Sequence, residues 1–170
     1  MRTILLSSLL FVSASTQAHI TLEQGHAQAG AYYKTVLGVP HGCEGSSTRA
    51  LTVFLPEGFV GAKPMPKAGW TLDVKKEKLS KPYEAHGRLI DERVAVVSWS
   101  GGRLLDTEYD EFVIRLQLPA EPGVKRFRVL QQCEQGQIDW SEAPAEGKPA
   151  PRYPSPTLEV RPAEHGLHHH

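Results

Sequence analysis

The sequence predicts an all-β domain, an antiparallel two-sheet sandwich. Three observations carry that expectation. Short segments of alternating hydrophobicity recur along the chain, turn residues separate them, and no helical period of apolar residues is sustained. Segments of this length, rich in β-branched and aromatic residues, are the usual raw material of a sandwich.

Residues 1–18 fall outside the pattern. Arg2 gives a short positive start, Ile4 to Val12 is an apolar run interrupted only by Ser7 and Ser8, and Thr16-Gln17-Ala18 offers a small-residue exit. These are the parts of a secretory signal, with cleavage expected between Ala18 and His19. The run is shorter than the roughly 20 residues that cross a bilayer, so a periplasmic or extracellular protein without a membrane anchor is expected.

The first strand expected in the mature domain runs from Ala31 to Val39 and stops at Pro40. Leu51, Val53 and Leu55 then share one face of Arg49 to Leu55, which ends at Pro56-Glu57-Gly58. A loop with Pro64, Pro66 and Gly69 leads to Trp70–Val74, and Val94–Trp99 stops at Gly101-Gly102. Between these two, residues 75–92 carry Lys75, Lys76, Lys78, Lys81 and Pro82, and read as an exposed hairpin or loop. Phe112, Ile114, Leu116 and Leu118 alternate with Val113, Arg115 and Gln117, and Phe127, Val129, Gln131 and Cys133 share the next face. Ile138 and Trp140 follow the turn at Gly136, closing a domain over 19–143. Prolines accumulate from 144 to 156 as an extended strap. A possible final strand covers 157–161, and a histidine-rich tail, 162–170, holds His165 and His168–His170.

Loss of Arg2 leaves 18 basic against 19 acidic residues, a mature charge of about −1 on about 150 residues. Such a balance gives no footprint for nucleic acid, and the length suits a single core. Cys43 and Cys133, the only cysteines, are expected to pair in an oxidising compartment. Closing a loop of about 90 residues is worth roughly 4 to 5 kcal/mol in the chain-entropy model. The bond would also withhold the thiolate that a blue-copper centre requires.

Cleavage before His19 would create a metal-binding group of its own. A terminal α-amine has a pKa of roughly 7.7 to 8.0 and gives up its proton to a strongly bound metal near neutral pH. With the imidazole Nδ1 of the same residue it forms a chelate, and Cu(II) favours that tetragonal nitrogen geometry.

Five stretches extend the case: His19-Ile20-Thr21-Leu22-Glu23, Val39-Pro40-His41-Gly42-Cys43, Gly69-Trp70, Tyr109-Asp110-Glu111-Phe112, and Cys133 through Trp140. Together they resemble the YcnI-like copper-binding domain family over His19 to about Trp140. The resemblance implies an exported cupredoxin-like or immunoglobulin-like sandwich. It also implies Cu(II) held by an N-terminal mono-histidine brace at His19, an acidic ligand, and a neighbouring tryptophan, here Trp140. Family members often place a glutamate seven residues after the histidine, where this chain has His26. His26 would then substitute an imidazole for a carboxylate, with Glu23 the next candidate and Glu111 the third.

Other candidates come from the residues alone. His41 sits in a Pro-His-Gly-Cys turn, as a ligand or neighbour of one, or as a turn-closing hydrogen-bonding residue. His86 reads as a surface histidine. Met65 is the one thioether left after Met1 departs, so the donors suit Cu(II) better than Cu(I).

The expected function is non-enzymatic Cu(II) storage, trafficking or delivery, with another exported copper-handling protein as partner. A histidine-brace copper oxidase or monooxygenase and a metal-free structural sandwich are the alternatives. No Gly-x-Ser-x-Gly elbow, His-Glu-x-x-His motif or phosphate loop is present.

Overall fold

Alternating apolar residues build two principal sheets here, and a third, smaller sheet joins them. The computed structural model describes residues 19–85 and 87–163; the signal segment, His86 and the C-terminal histidines lie outside the described residues. The strands are β1 (Thr21–Leu22), β2 (His26–Gln28), β3 (Tyr32–Val39), β4 (Thr48–Phe54), β5 (Val60–Pro64) and β6 (Thr71–Ala85). They continue as β7 (Arg88–Leu104), β8 (Asp110–Gln117), β9 (Gly123–Arg126), β10 (Arg128–Cys133), β11 (Gln137–Trp140) and β12 (Thr157–Arg161). One sheet has the order β1-β3-β8-β5, and the other β11-β10-β4-β7-β6.

Inward-facing residues of both sheets make the core. Tyr33, Leu37, Val39, Phe112, Ile114 and Leu116 come from the first sheet; Leu51, Val53, Val97, Trp99 and Val129 come from the second. Trp99 and Phe112 meet edge to face across the interior, their centroids 5.3 Å apart. The indole N–H of Trp99 donates to the Met65 carbonyl at 3.0 Å, which ties the loop after β5 to the core.

One feature differs from the expected architecture. The third sheet, β2-β12-β9, contains a parallel pair: β12 runs parallel to β2 and antiparallel to β9. Leu158 and Val160 of β12 are buried, so this strand closes one end of the core rather than trailing from it.

Residues 75–92 take the hairpin form of the expected exposed hairpin or loop, as the outer part of one long β6–β7 hairpin. Much of this arm faces solvent on both sides, and its lysines therefore hide the strand from a search for apolar alternation. Cross-strand charge pairs help to hold it: Arg93 contacts Glu77 at 2.6 Å, and Lys78 lies 3.6 Å from Asp91. Among the described residues, no helix is long and apolar enough to cross a membrane.

Candidate metal centre

The short strand β1 decides where the chain begins its folded path. Thr21 pairs with Gly38 and Leu22 with Leu37. Continuing that antiparallel register outward sets residue 20 opposite 39 and residue 19 opposite 40. Ile20, 1% exposed, anchors the step by inserting into the core. His19 is thereby delivered beside the Pro40-His41 turn, at the edge of the first sheet.

Trp140 closes the other side of this seam, from β11 at the edge of the second sheet. Its ring is 1% exposed. The His19 imidazole stands 5.9 Å from the indole centroid and the His41 imidazole 6.0 Å from it. Tyr153, from the proline-rich strap, packs edge to face on the same indole at 5.6 Å. Two imidazoles and a phenol thus surround one buried indole.

The indole is held in place by Gln131, a fully buried polar side chain on β10. Gln131 Oε1 accepts from Trp140 Nε1 at 2.9 Å. Its Nε2 donates to the His41 carbonyl at 2.7 Å and to Thr48 Oγ1 at 2.8 Å. One amide therefore fixes the tryptophan and the histidine turn together, and each buried polar atom in the set gains a partner.

Within the turn, His41 Nδ1 lies 2.6 Å from the Gly42 carbonyl. A carbonyl only accepts, so Nδ1 carries the proton and, in the neutral ring, Nε2 carries the lone pair. Metal-binding histidines are oriented in this way, by donating their other N–H to a carbonyl or carboxylate. Gly42 is needed here on steric grounds, since a Cβ would fall 1.9 Å from the Ser46 carbonyl oxygen. Asp106 Oδ1 accepts the Gly42 N–H at 2.9 Å, bringing a carboxylate to the turn. The disulfide Cys43–Cys133, with Cα atoms 5.9 Å apart, fastens the turn to β10. A bond of this kind belongs to an oxidising, extracytoplasmic setting.

The acidic candidates and His26 occupy other positions. Glu23 is exposed just past β1, where its backbone N–H donates to the Val36 carbonyl. Glu111 accepts from Tyr109 Oη at 3.0 Å, while Asp110 is paired with Lys67 at 2.6 Å. Burial, and then the Glu23 charge, push the Tyr33 phenol up to about 12. The exposed Tyr109 phenol is also raised, first by partial burial and then by its bond to Glu111. His26 is exposed on β2, paired in register with Glu159 of β12. It lines a surface cleft with Gln24, Tyr33 and Arg161. Among the described residues, the imidazoles packed on Trp140 are those of His19 and His41.

No three His, Cys, Asp or Glu side chains converge as a metal-binding group among the described residues. A brace needs fewer side chains, because amine and imidazole come from one residue. The His19 and His41 imidazoles both pack on Trp140, and imidazole nitrogen is a donor type that suits Cu(II). Gln131, Asp106 and Tyr153 were not named by the sequence as parts of this centre. Gln131 alone left a signal there, as a polar residue on the apolar face of Phe127 and Val129.

Comparison with known proteins gives the following. The family model described as "Domain of unknown function (DUF1775)" matches residues 19–160, beginning at His19. No curated protein matches the chain. An uncharacterized protein from Nocardia farcinica with an immunoglobulin-like fold is similar at a TM-score of 0.65 and 24% identity, covering 84% of this chain and 97% of that one. A protein from Corynebacterium diphtheriae described as membrane anchored has a TM-score of 0.38 and 8% identity, covering 84% of this chain and 32% of that one.

Proposed function

The chain belongs to the DUF1775 family, and from that premise we propose that it is an exported Cu(II)-binding module, with the amine and imidazole of a mature N-terminal His19 as its brace. The observation that carries this proposal is the placement of the His19 and His41 imidazoles around the buried indole of Trp140. His41 Nε2 supplies the further nitrogen, and Asp106 steadies its turn. The finer likeness to YcnI-like copper-binding domains adds support, as does a family match that starts at His19.

The chemistry of the donors points to cargo handling. Imidazole and amine nitrogens hold Cu(II) well, whereas Cu(I) prefers sulfur. Both cysteines are committed to the disulfide, and Met65 is 52% exposed in its loop after β5. Reduction would therefore weaken the hold on copper and favour release to a sulfur-rich acceptor. Buried Trp140 keeps water from one side of the donors throughout.

The pairing of His19 with a second histidine also favours one competing function, a copper-dependent oxidative enzyme. Reductant-dependent oxidation of a polysaccharide by the copper-loaded protein would establish that alternative.

Comparing His41→Ala with His26→Ala by Cu(II) titration tests the donor set. His41→Ala is expected to weaken binding by about tenfold or more and to change the nitrogen hyperfine pattern, while His26→Ala leaves both intact. The opposite result would move the site to β2. A chain starting at His19 that forms no one-to-one complex would leave only the scaffold.

A further inference from the structure

The far seam of the sandwich, where β5 meets the β6–β7 hairpin, carries a different chemistry. A cleft of about 480 Å³ opens there, lined by Tyr32, Lys63, Tyr83, Arg88, Ile90 and Arg115 among others. Three of these residues are cationic, and among the described residues none of the lining is a carboxylate. Lys34 adds a fourth cation, because it stands directly opposite Arg115 in the β3–β8 ladder. Lys63 stands opposite Arg115 from the β5 side.

Like charges directly opposed across a sheet are destabilising. Some exposed cations elsewhere on this protein take carboxylate partners, as Lys78 does with Asp91 and Arg128 with Asp139. Among the described residues, Lys34, Lys63, Arg88 and Arg115 make no ion pair. Arg115 instead lies over the ring of Tyr32, 4.4 Å from its centroid. Stacking of this kind orders the guanidinium plane for recognition of a carboxylate.

We propose that this cleft binds an acidic peptide segment of a partner protein. The row from Lys34 to Lys63 crosses two strand spacings, about 10 Å, too far for one phosphate or carboxylate to bridge. An extended peptide presents side chains on one side about every 7 Å, and so reaches successive cations. Tyr83 and Ile90 line the cleft on the hairpin side, so a narrow segment fits it better than the flat surface of a bilayer. Simple strand addition to β5 is disfavoured, since its register shifts between Val60 and Lys63 and it ends at Pro64. Recognition therefore runs through side chains. The inference stands on the cleft alone and holds whether or not His19 binds copper.

The test is fluorescence anisotropy with a fluorescein-labelled alternating Glu-Gly peptide, and a Lys-Gly peptide as its counterpart. The acidic peptide is expected to bind, with affinity falling as salt rises. Lys63→Glu and Arg115→Glu should each weaken it by about tenfold or more. Lys76→Glu, on the arm outside the cleft, should leave binding unchanged. Lys63→Glu also relieves a repulsive pair, so its melting temperature should hold or rise while binding is lost, which separates recognition from folding. Failure of the acidic peptide to bind, or equal losses in Lys76→Glu, would overturn the proposal. So would binding of phosphatidylglycerol vesicles that survives both cleft variants while the peptide fails to bind.

Discussion

Gln131 commits its amide to the candidate centre: the indole N–H of Trp140, the His41 carbonyl and the Thr48 hydroxyl all bond to it. Replacing it with leucine keeps the bulk and removes those partners. Gln131→Leu is expected to cost about 1–3 kcal/mol, read by urea denaturation, because buried polar groups lose their hydrogen bonds. Copper affinity should fall by about 10- to 100-fold, the usual consequence of losing a group that orients a ligand. An unchanged affinity would show that Trp140 and His41 hold their places without it. Alternation along Phe127, Val129 and Gln131 already marked this position as inward-facing. Its bonding partners were hidden, since they come from β11, the Pro-His-Gly-Cys turn and β4, and no local pattern encodes that meeting. Tyr153 was hidden for a different reason: a proline-rich strap reads as solvent-exposed until its one aromatic ring is seen against Trp140.

Elements with clear alternation, β3, β4, β8 and β10, were legible because each has one buried face over at least six residues. β1, β2, β5 and β9 were not, having two to five residues each and too few positions to display a period. Yet β1 is the element that positions His19, through only two register pairs. The disulfide reinforces what so short a strand cannot secure alone. Cys43 lies two residues after His41, and Cys133 two residues after Gln131, so one bond ties both halves of the centre. The double variant Cys43→Ser/Cys133→Ser is expected to lose about 2–5 kcal/mol, measured by thermal or denaturant unfolding. Copper binding should weaken with it even where the variant remains folded. Full affinity in the folded variant would mean that the turn is held by Gln131 and Asp106 alone.

At the scale of the whole molecule, the two seams of the sandwich have separate characters. One brings β1 and β11 together around Trp140, with the His19 and His41 imidazoles, the proposed nitrogen donors, packed beside it. The other sets β5 against the hairpin arm and gathers unpaired cations. His19, His41 and Trp140 were each singled out by the sequence, but their convergence depends on which sheet edges meet, a property of topology. His26 was weighted by its spacing from His19, and the fold places it in the third sheet, paired with Glu159. The most direct measurement is electron paramagnetic resonance, with affinity titration, of Cu(II) bound to a chain beginning at His19 and to the same chain carrying one additional residue before it. The brace predicts that the extension removes the amine nitrogen, alters the spectrum and weakens binding by more than about tenfold, with the fold unchanged. Matching spectra and affinities would contradict it, because the amine of His19 would then take no part in holding copper.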